Sequence, residues 1–134
     1  MAGKICDQGE TFLANAALVG AAAANLYLGL YTDVAEPGET ANLATINELT
    51  EGDHGYDRMA LAAANWTIVD DQAEQPRQTF TAVGGDWGNV SGYFLTDALT
   101  GNVGNLIAVE NFNDGPYNTL DGLSILITPT ILIA

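Results

Sequence analysis

Few side chains in this sequence are of the types that carry out catalysis. The chain of 134 residues contains one histidine, His54, one cysteine, Cys6, and three basic residues. His54 lies among turn-forming residues at 51–55, where we expect it at the surface and not as a general base. Cys6 lies near an N-terminus that we expect to be mobile, and a single cysteine excludes an internal disulfide. Because an active site needs several positioned acids, bases or nucleophiles, we predict a protein that is not an enzyme, with no catalytic residue and no cofactor.

Acidic side chains cluster in three loops and could supply the oxygen ligands that calcium prefers. They are Asp70 with Asp71, Glu51 with Asp53, and Asp114 beside a glycine. None of the three has the ligand spacing of an EF-hand loop, and the sequence lacks the paired histidines or clustered cysteines of a zinc site. We therefore predict no metal site and attribute these acids to solvation of the loops.

Four aromatic residues fall in segments that favour β-strands: Trp66, Trp87, Tyr93 and Phe94. Large aromatic side chains in strands are expected to pack in the core. An alternative is that Trp66 and Trp87 are exposed and form a platform on which sugar rings stack. The sequence leaves core packing as the main interpretation and carbohydrate binding as the second.

Arg58 is one of only three cations, together with Lys4 and Arg77, in a chain with 17 acidic residues. We predict that Arg58 forms a structural ion pair with Glu51. Asp57 and a carboxylate of a partner protein are the alternatives.

The formal net charge is −14 at pH 7. A charge of this sign repels nucleic acid and anionic membrane surfaces, so we expect neither as a partner. A solvated acidic exterior explains the charge, and a basic partner surface is the alternative. The apolar tract at 14–30 is interrupted by Asn15 and Asn25 and is a poor membrane span.

The elements that would position these residues begin with a helix. Asp7 and Glu10, three residues apart before an apolar stretch, are typical of a helix N-terminus. We predict an N-terminal helical arm at about 7–23. Four apolar residues follow helical spacing and are the candidate interface: Phe12, Leu13, Ala16 and Val19.

After residue 25 the apolar pattern changes to the two-residue period of β-strands. The predicted strands are 26–32, 56–61, 65–69, 78–83, 87–96, 105–112 and 123–134, with 43–51 a short strand or a helical turn. Residues 70–76 are predicted to be an acidic loop. Turn-forming residues separate these segments, so we predict one mainly β domain spanning 1–134. Its architecture is an antiparallel β-sandwich or jelly-roll-like barrel of about seven or eight strands.

The order of several short motifs resembles that of small structural proteins of tailed bacteriophages, of the capsid cement or decoration type. The motifs are GETFLAN at 9–15, LYLGLYT at 26–32, LTE at 49–51, GYDR at 55–58, WT at 66–67, QTFTA at 78–82, VSGYFLTD at 90–97 and DGL at 121–123. The resemblance covers most of the chain. It implies a virion component without catalytic residues.

The resemblance leaves three functions open. The first is a capsid cement protein that binds the major capsid protein as a homo-oligomer, with contacts from the apolar helix or the terminal strand. The second is a tail, baseplate or fibre-associated protein that binds other virion proteins. The third is a carbohydrate-binding adhesin that uses Trp66, Trp87 and nearby tyrosines.

Overall fold

The computed structural model describes residues 3–14, 25–69 and 72–132, and most regular structure in these ranges is β-strand. One α-helix, α1 (Asp7–Ala14), begins where predicted; the rest of the predicted helix lies outside the described residues. The strands of the described residues are, in chain order, β1 (Lys4–Ile5), β2 (Leu26–Tyr31), β3 (Met59–Leu61), β4 (Thr67–Val69), β5 (Gln72–Glu74), β6 (Gln78–Thr81), β7 (Gly88–Val90), β8 (Gly92–Thr96), β9 (Leu106–Asn111), β10 (Tyr117–Thr119), β11 (Ser124–Ile127) and β12 (Thr130–Leu132).

Five strands form the central sheet, in the order β1-β9-β8-β2-β3, and all neighbours are antiparallel. The register of β2 on β8 pairs Tyr27 with Thr96 and Tyr31 with Gly92. Successive side chains of a strand point to opposite faces, so a slip of one residue would exchange the two faces of β2. Leu26, Leu28 and Leu30 therefore share one face, and their burial favours this register over its neighbours.

That face of the central sheet packs against the small sheets and forms the main core. Full burial of a leucine, isoleucine or phenylalanine side chain stabilises a fold by about 1.5–3 kcal/mol. The buried residues of this core are Leu26, Leu28, Leu30, Tyr56, Leu61, Phe80, Val90, Tyr93, Leu95, Ile107, Ala108, Ile125, Ile127 and Ile131. Residues from β6, β11 and β12 lie among them, so the central sheet and these strands form two packed layers.

The opposite face of the central sheet is also covered. Tyr31, Phe94 and Val109 lie in a second buried cluster, with Leu43 and Ile46 from the segment after β2. All five residues of β8 are consequently buried. Burial on both faces explains why the sequence of β8 is apolar at nearly every position.

The prediction of a mainly β, antiparallel fold with one helix near the N-terminus is confirmed. The strands in the described ranges form open sheets and no closed barrel, and there are twelve of them rather than seven or eight. The predicted strand at 87–96 divides at Ser91, where the chain passes from the sheet of β7 to that of β8. The predicted strand at 123–134 divides before Pro129, which cannot donate a ladder hydrogen bond. The predicted loop at 70–76 contains β5, which pairs with both β4 and β12.

The N-terminal segment contradicts the expectation of mobility. Lys4 and Ile5 pair with β9, and the Cys6 amide donates a hydrogen bond of 2.9 Å to the Ile107 carbonyl. Cys6 is fully buried. The pairing partner is about 100 residues away in sequence, and single-sequence patterns do not reveal contacts at this separation.

The two ends of the described chain lie against each other. The Gly3 amide donates to the Thr130 carbonyl at 2.9 Å, and the Leu132 amide donates to the Gly3 carbonyl at 3.3 Å. Gly3 and Ile131 form a parallel bridge. The start of the described chain is thereby joined to β12, next to the edge of the central sheet.

Because Cys6 is buried, its reactivity tests whether the N-terminal segment is packed against β9. Burial raises the pKa of the Cys6 thiol to about 11, and only the thiolate reacts rapidly with disulfide reagents. At pH 8 the native protein should react with a chromogenic disulfide reagent far more slowly than the unfolded protein does in denaturant. A native rate equal to that of the unfolded chain would show that the N-terminal segment is open.

Candidate functional site

The described residues contain a buried ion pair centred on Arg58, whose side chain is 1% exposed. Arg58 precedes β3. Its Nη2 donates to Glu48 Oε1 at 2.7 Å and its Nε donates to Glu48 Oε2 at 2.9 Å. This two-point contact matches the planar guanidinium to the planar carboxylate, which is the strong geometry for such a pair.

The remaining donors of Arg58 bind a distant loop. Nη1 donates to the Ala98 carbonyl at 2.8 Å, and Nη2 donates to the Gly101 carbonyl at 2.6 Å. The guanidinium also lies over the ring of Phe94, 5.4 Å from its centroid. One side chain thus connects the loop after β8, the segment before β3 and the central sheet.

Glu51, the predicted partner of Arg58, lies close but makes the weaker contact. Its Oε1 is 3.7 Å from Arg58 Nε, and its Oε2 accepts a hydrogen bond of 3.0 Å from the Gly101 amide. The principal partner is Glu48, which sequence reasoning did not single out. Asp57, the alternative, is exposed and makes no ion pair among the described residues. A backbone bridge between Glu48 and Tyr31 positions the glutamate, and no local sequence signal indicates it.

Tyr56 completes the network. Its hydroxyl donates to Glu48 Oε2 at 2.6 Å and accepts a hydrogen bond from the Leu30 amide at 3.0 Å. Burial, and then the negative charge of Glu48, raise the pKa of Tyr56 far above its usual range, so its hydroxyl stays protonated. Burial opposes the charge on Arg58, but hydrogen bonds and attraction from Glu48 outweigh it and raise the Arg58 pKa. Neither group exchanges protons near neutral pH, so the network is suited to holding structure together.

One further carboxyl, that of Glu110, is buried where β9 pairs with Tyr93 of β8. Burial raises the pKa of Glu110 above the ordinary carboxyl value, and burial likewise raises the pKa of Tyr93. The folded protein holds the Glu110 proton more tightly than the unfolded chain does. This group therefore makes folding less favourable as the pH rises above the ordinary carboxyl range.

His54 lies in a short 3-10 turn, Asp53–Gly55, and its side chain is 40% exposed. Its nearest carboxylate is that of Asp53, 3.5 Å away. No nucleophile in the described ranges forms a hydrogen bond with its imidazole. The turn presents His54 at the surface.

The two tryptophans occupy different places. Trp87 lies at a cavity of about 240 Å³ that Asp53 and Asp86 also line, and its indole donates to the His54 carbonyl at 3.0 Å. Trp66 does not line this cavity, and it packs against the main core. Trp87 also packs against the main core, and it is the tryptophan that lines this cavity.

Within the part of the chain that the structure describes, no three acidic, histidine or cysteine side chains come together to hold a metal ion. Of the three acidic clusters considered above, Asp70 and Asp71 lie outside that part. No helix in the described ranges is long and apolar enough to cross a membrane.

A group of exposed apolar side chains belongs to β10, β11 and the turn between them. We call this surface the β10–β11 face; its members are Tyr117 (36% exposed), Leu120 (46%), Leu123 (49%) and Leu126 (53%). Tyr117, Leu123 and Leu126 line a groove of about 300 Å³. In β11, Ile125 and Ile127 point into the core, whereas Leu126 points outward.

The predicted helix interface is only partly visible. Phe12 and Leu13 lie in α1 and are half-buried, and Phe12 packs against the main core. Ala16 and Val19 lie outside the described residues. Phe12 therefore contributes to packing within the domain.

Comparison with known proteins places the chain in a family. The family model of podophage GP4 fiber I protein gp80 matches residues 4–127, nearly the whole length. No curated protein matches the chain. The predicted relation to structural proteins of tailed phages is confirmed. The matched family is of the fibre type, and it gives no support to a capsid cement protein. The chain belongs to the podophage GP4 fiber I protein gp80 family and is a structural protein of the phage virion.

Proposed function

We propose that this protein is a fibre-associated module of the phage tail, and that it acts by binding other virion proteins. The observation that carries the proposal is the match of residues 4–127 to a fibre protein family. The cement assignment, our first hypothesis from the sequence, has no corresponding observation. A fibre module needs a stable domain and a surface for attachment.

The chemistry of the site supports a non-enzymatic role. The buried charges of Arg58 and Glu48 satisfy each other. His54 lies at the surface, and Cys6 is buried as a thiol. These groups contribute to the fold or remain in solvent, so we propose that the protein has no catalytic activity.

Copy number and position in the virion test the proposal. Quantitative mass spectrometry of purified particles should find about tens of copies or fewer, because tail assemblies have low-order rotational symmetry. Gold-labelled antibody against the protein should mark the tail in electron micrographs. Hundreds of copies spread over the shell would contradict the fibre assignment and support a cement protein.

A further inference from the structure

The β10–β11 face lies within a larger uncharged surface. The outward residues of β6 and β11 next to it are Thr79, Thr81 and Ser124, and the hydroxyl oxygens of Thr81 and Ser124 lie 2.7 Å apart in a hydrogen bond. Elsewhere the chain carries 17 acidic residues. An apolar centre without charge is the composition typical of the core of a protein–protein interface.

Carboxylates border this surface at the turn between β10 and β11. The Asp121 amide donates to Asp86 Oδ1 at 2.7 Å, and the Gly84 amide donates to Asp121 Oδ1 at 2.9 Å. These bonds fix both carboxylates beside Leu120 and Leu123. The edge of the β10–β11 face beside this turn is therefore acidic. Asp114 lies in the turn before Tyr117, at the opposite end of β10.

No cation of the described chain neutralises that edge. Arg58 is buried against Glu48. Lys4 Nζ donates to the Pro37 carbonyl and lies 3.5 Å from a Glu36 carboxylate. Arg77 precedes β6, which places it at the opposite end of the β6–β11 pair, beyond Ile127. The charges of Asp86 and Asp121 are left for a partner to match.

We propose that the β10–β11 face docks onto a different protein of the virion, one with an apolar contact surface and a basic edge that meets Asp86 and Asp121. This inference rests on the proposed function and names the attachment surface. Apolar contacts would supply most of the affinity, and opposite charges at the rim would favour the correct partner. A second copy of this chain is a poorer occupant, because each copy carries a net charge of −14 and would present acidic groups to acidic groups.

Genetic complementation tests the surface in the assembled particle. Phage lacking the gene would be grown on cells that supply wild-type protein or the double variant Leu123→Ser, Leu126→Thr, and copies per purified virion would be counted by mass spectrometry. The variant should be incorporated at about a tenth of the wild-type level or less. The matched control, Val34→Ser with Val103→Thr, removes apolar side chains that are 89% and 87% exposed and should be incorporated normally. Circular dichroism and thermal unfolding of each purified protein would verify that the fold is retained.

The acidic edge is tested with Asp86→Asn plus Asp121→Asn, which keeps both acceptor oxygens and removes the charges. Incorporation should fall severalfold, whereas Glu10→Gln plus Asp57→Asn, which removes the same charge from exposed positions elsewhere, should have no effect. If the two double variants reduced incorporation equally, the proposal that the partner has a basic edge would be wrong. If the leucine variant were incorporated normally, the proposal that the β10–β11 face is the docking surface would be wrong.

Two further outcomes distinguish an error in the proposed partner from an error in the proposed fibre function. If light scattering shows that the purified wild-type protein self-associates and that the leucine variant is monomeric, a second copy occupies the face and the proposed partner is wrong. If the wild-type protein marks the shell in micrographs while the leucine variant is still lost, the fibre assignment fails and the docking surface stands.

Discussion

Replacing Arg58 by methionine is expected to lower the free energy of unfolding by about 3–5 kcal/mol. The side chain is 1% exposed, and its removal would leave the Glu48 carboxylate partly buried without its counter-charge. The carbonyls of Ala98 and Gly101 would lose their donors as well. Because small domains are stable by only about 5–15 kcal/mol in total, this single change would remove a large share of the stability.

Urea denaturation monitored by tryptophan fluorescence would measure the effect. Arg77→Met is the matched control, since it removes the same charge from an exposed position and should change stability by less than about 0.5 kcal/mol. In a double-mutant cycle, Glu48→Gln should couple strongly to Arg58→Met, and Glu51→Gln only weakly. Equal stability of the Arg58 and Arg77 variants would show that the buried ion pair does not hold the loops.

Replacing Gly29 by alanine is expected to cost about 3 kcal/mol, the upper part of the usual range for overpacking a core. A Cβ atom at this position would overlap the ring of Phe94 and lie 2.9 Å from the Tyr56 hydroxyl. Both neighbours are fully buried, so neither can move aside freely. The Tyr56 hydroxyl also binds Glu48, and the clash would therefore disturb the Arg58 network.

Gly38→Ala provides the control for this prediction. No atom lies within 4 Å of a Cβ built at Gly38, and its backbone is outside the left-handed region. Its substitution should leave stability unchanged or raise it by about 0.4–1 kcal/mol through the unfolded state. Thermal unfolding should give a lower Tm for the Gly29 variant and an unchanged or higher Tm for the Gly38 variant. A Gly29 variant as stable as the wild type would mean that the central sheet is packed less tightly than described.

The sequence predicted those elements whose signals are local. The predicted strands at 26–32 and 105–112 contain β2 and β9. The sequence did not predict β1 or β5. These two short strands pair with β9 and β12, which are far away in the sequence, and β5 also pairs with its neighbour β4. Short segments of this kind have little intrinsic preference, and tertiary pairing decides their conformation.

The same distinction explains the predictions for the site. Arg58 was identifiable as a structural cation because basic residues are so scarce in this chain. Its principal partner, Glu48, was not identifiable, because the path from β2 through the following loop determines which carboxylate reaches it. Likewise, the apolar residues on both sides of β11 were visible in the sequence. Only the packing of the sheets shows that one side remains exposed.

The contact between Gly3 and β12 has a mechanical consequence. Gly3 begins the described chain, Leu132 ends it, and the two segments run parallel at their bridge. Tension applied between these two residues would pull the segments along their length in opposite directions. Both hydrogen bonds between them would then bear the force together, instead of opening one after the other. Under such tension the central sheet would be loaded only after this bridge has broken.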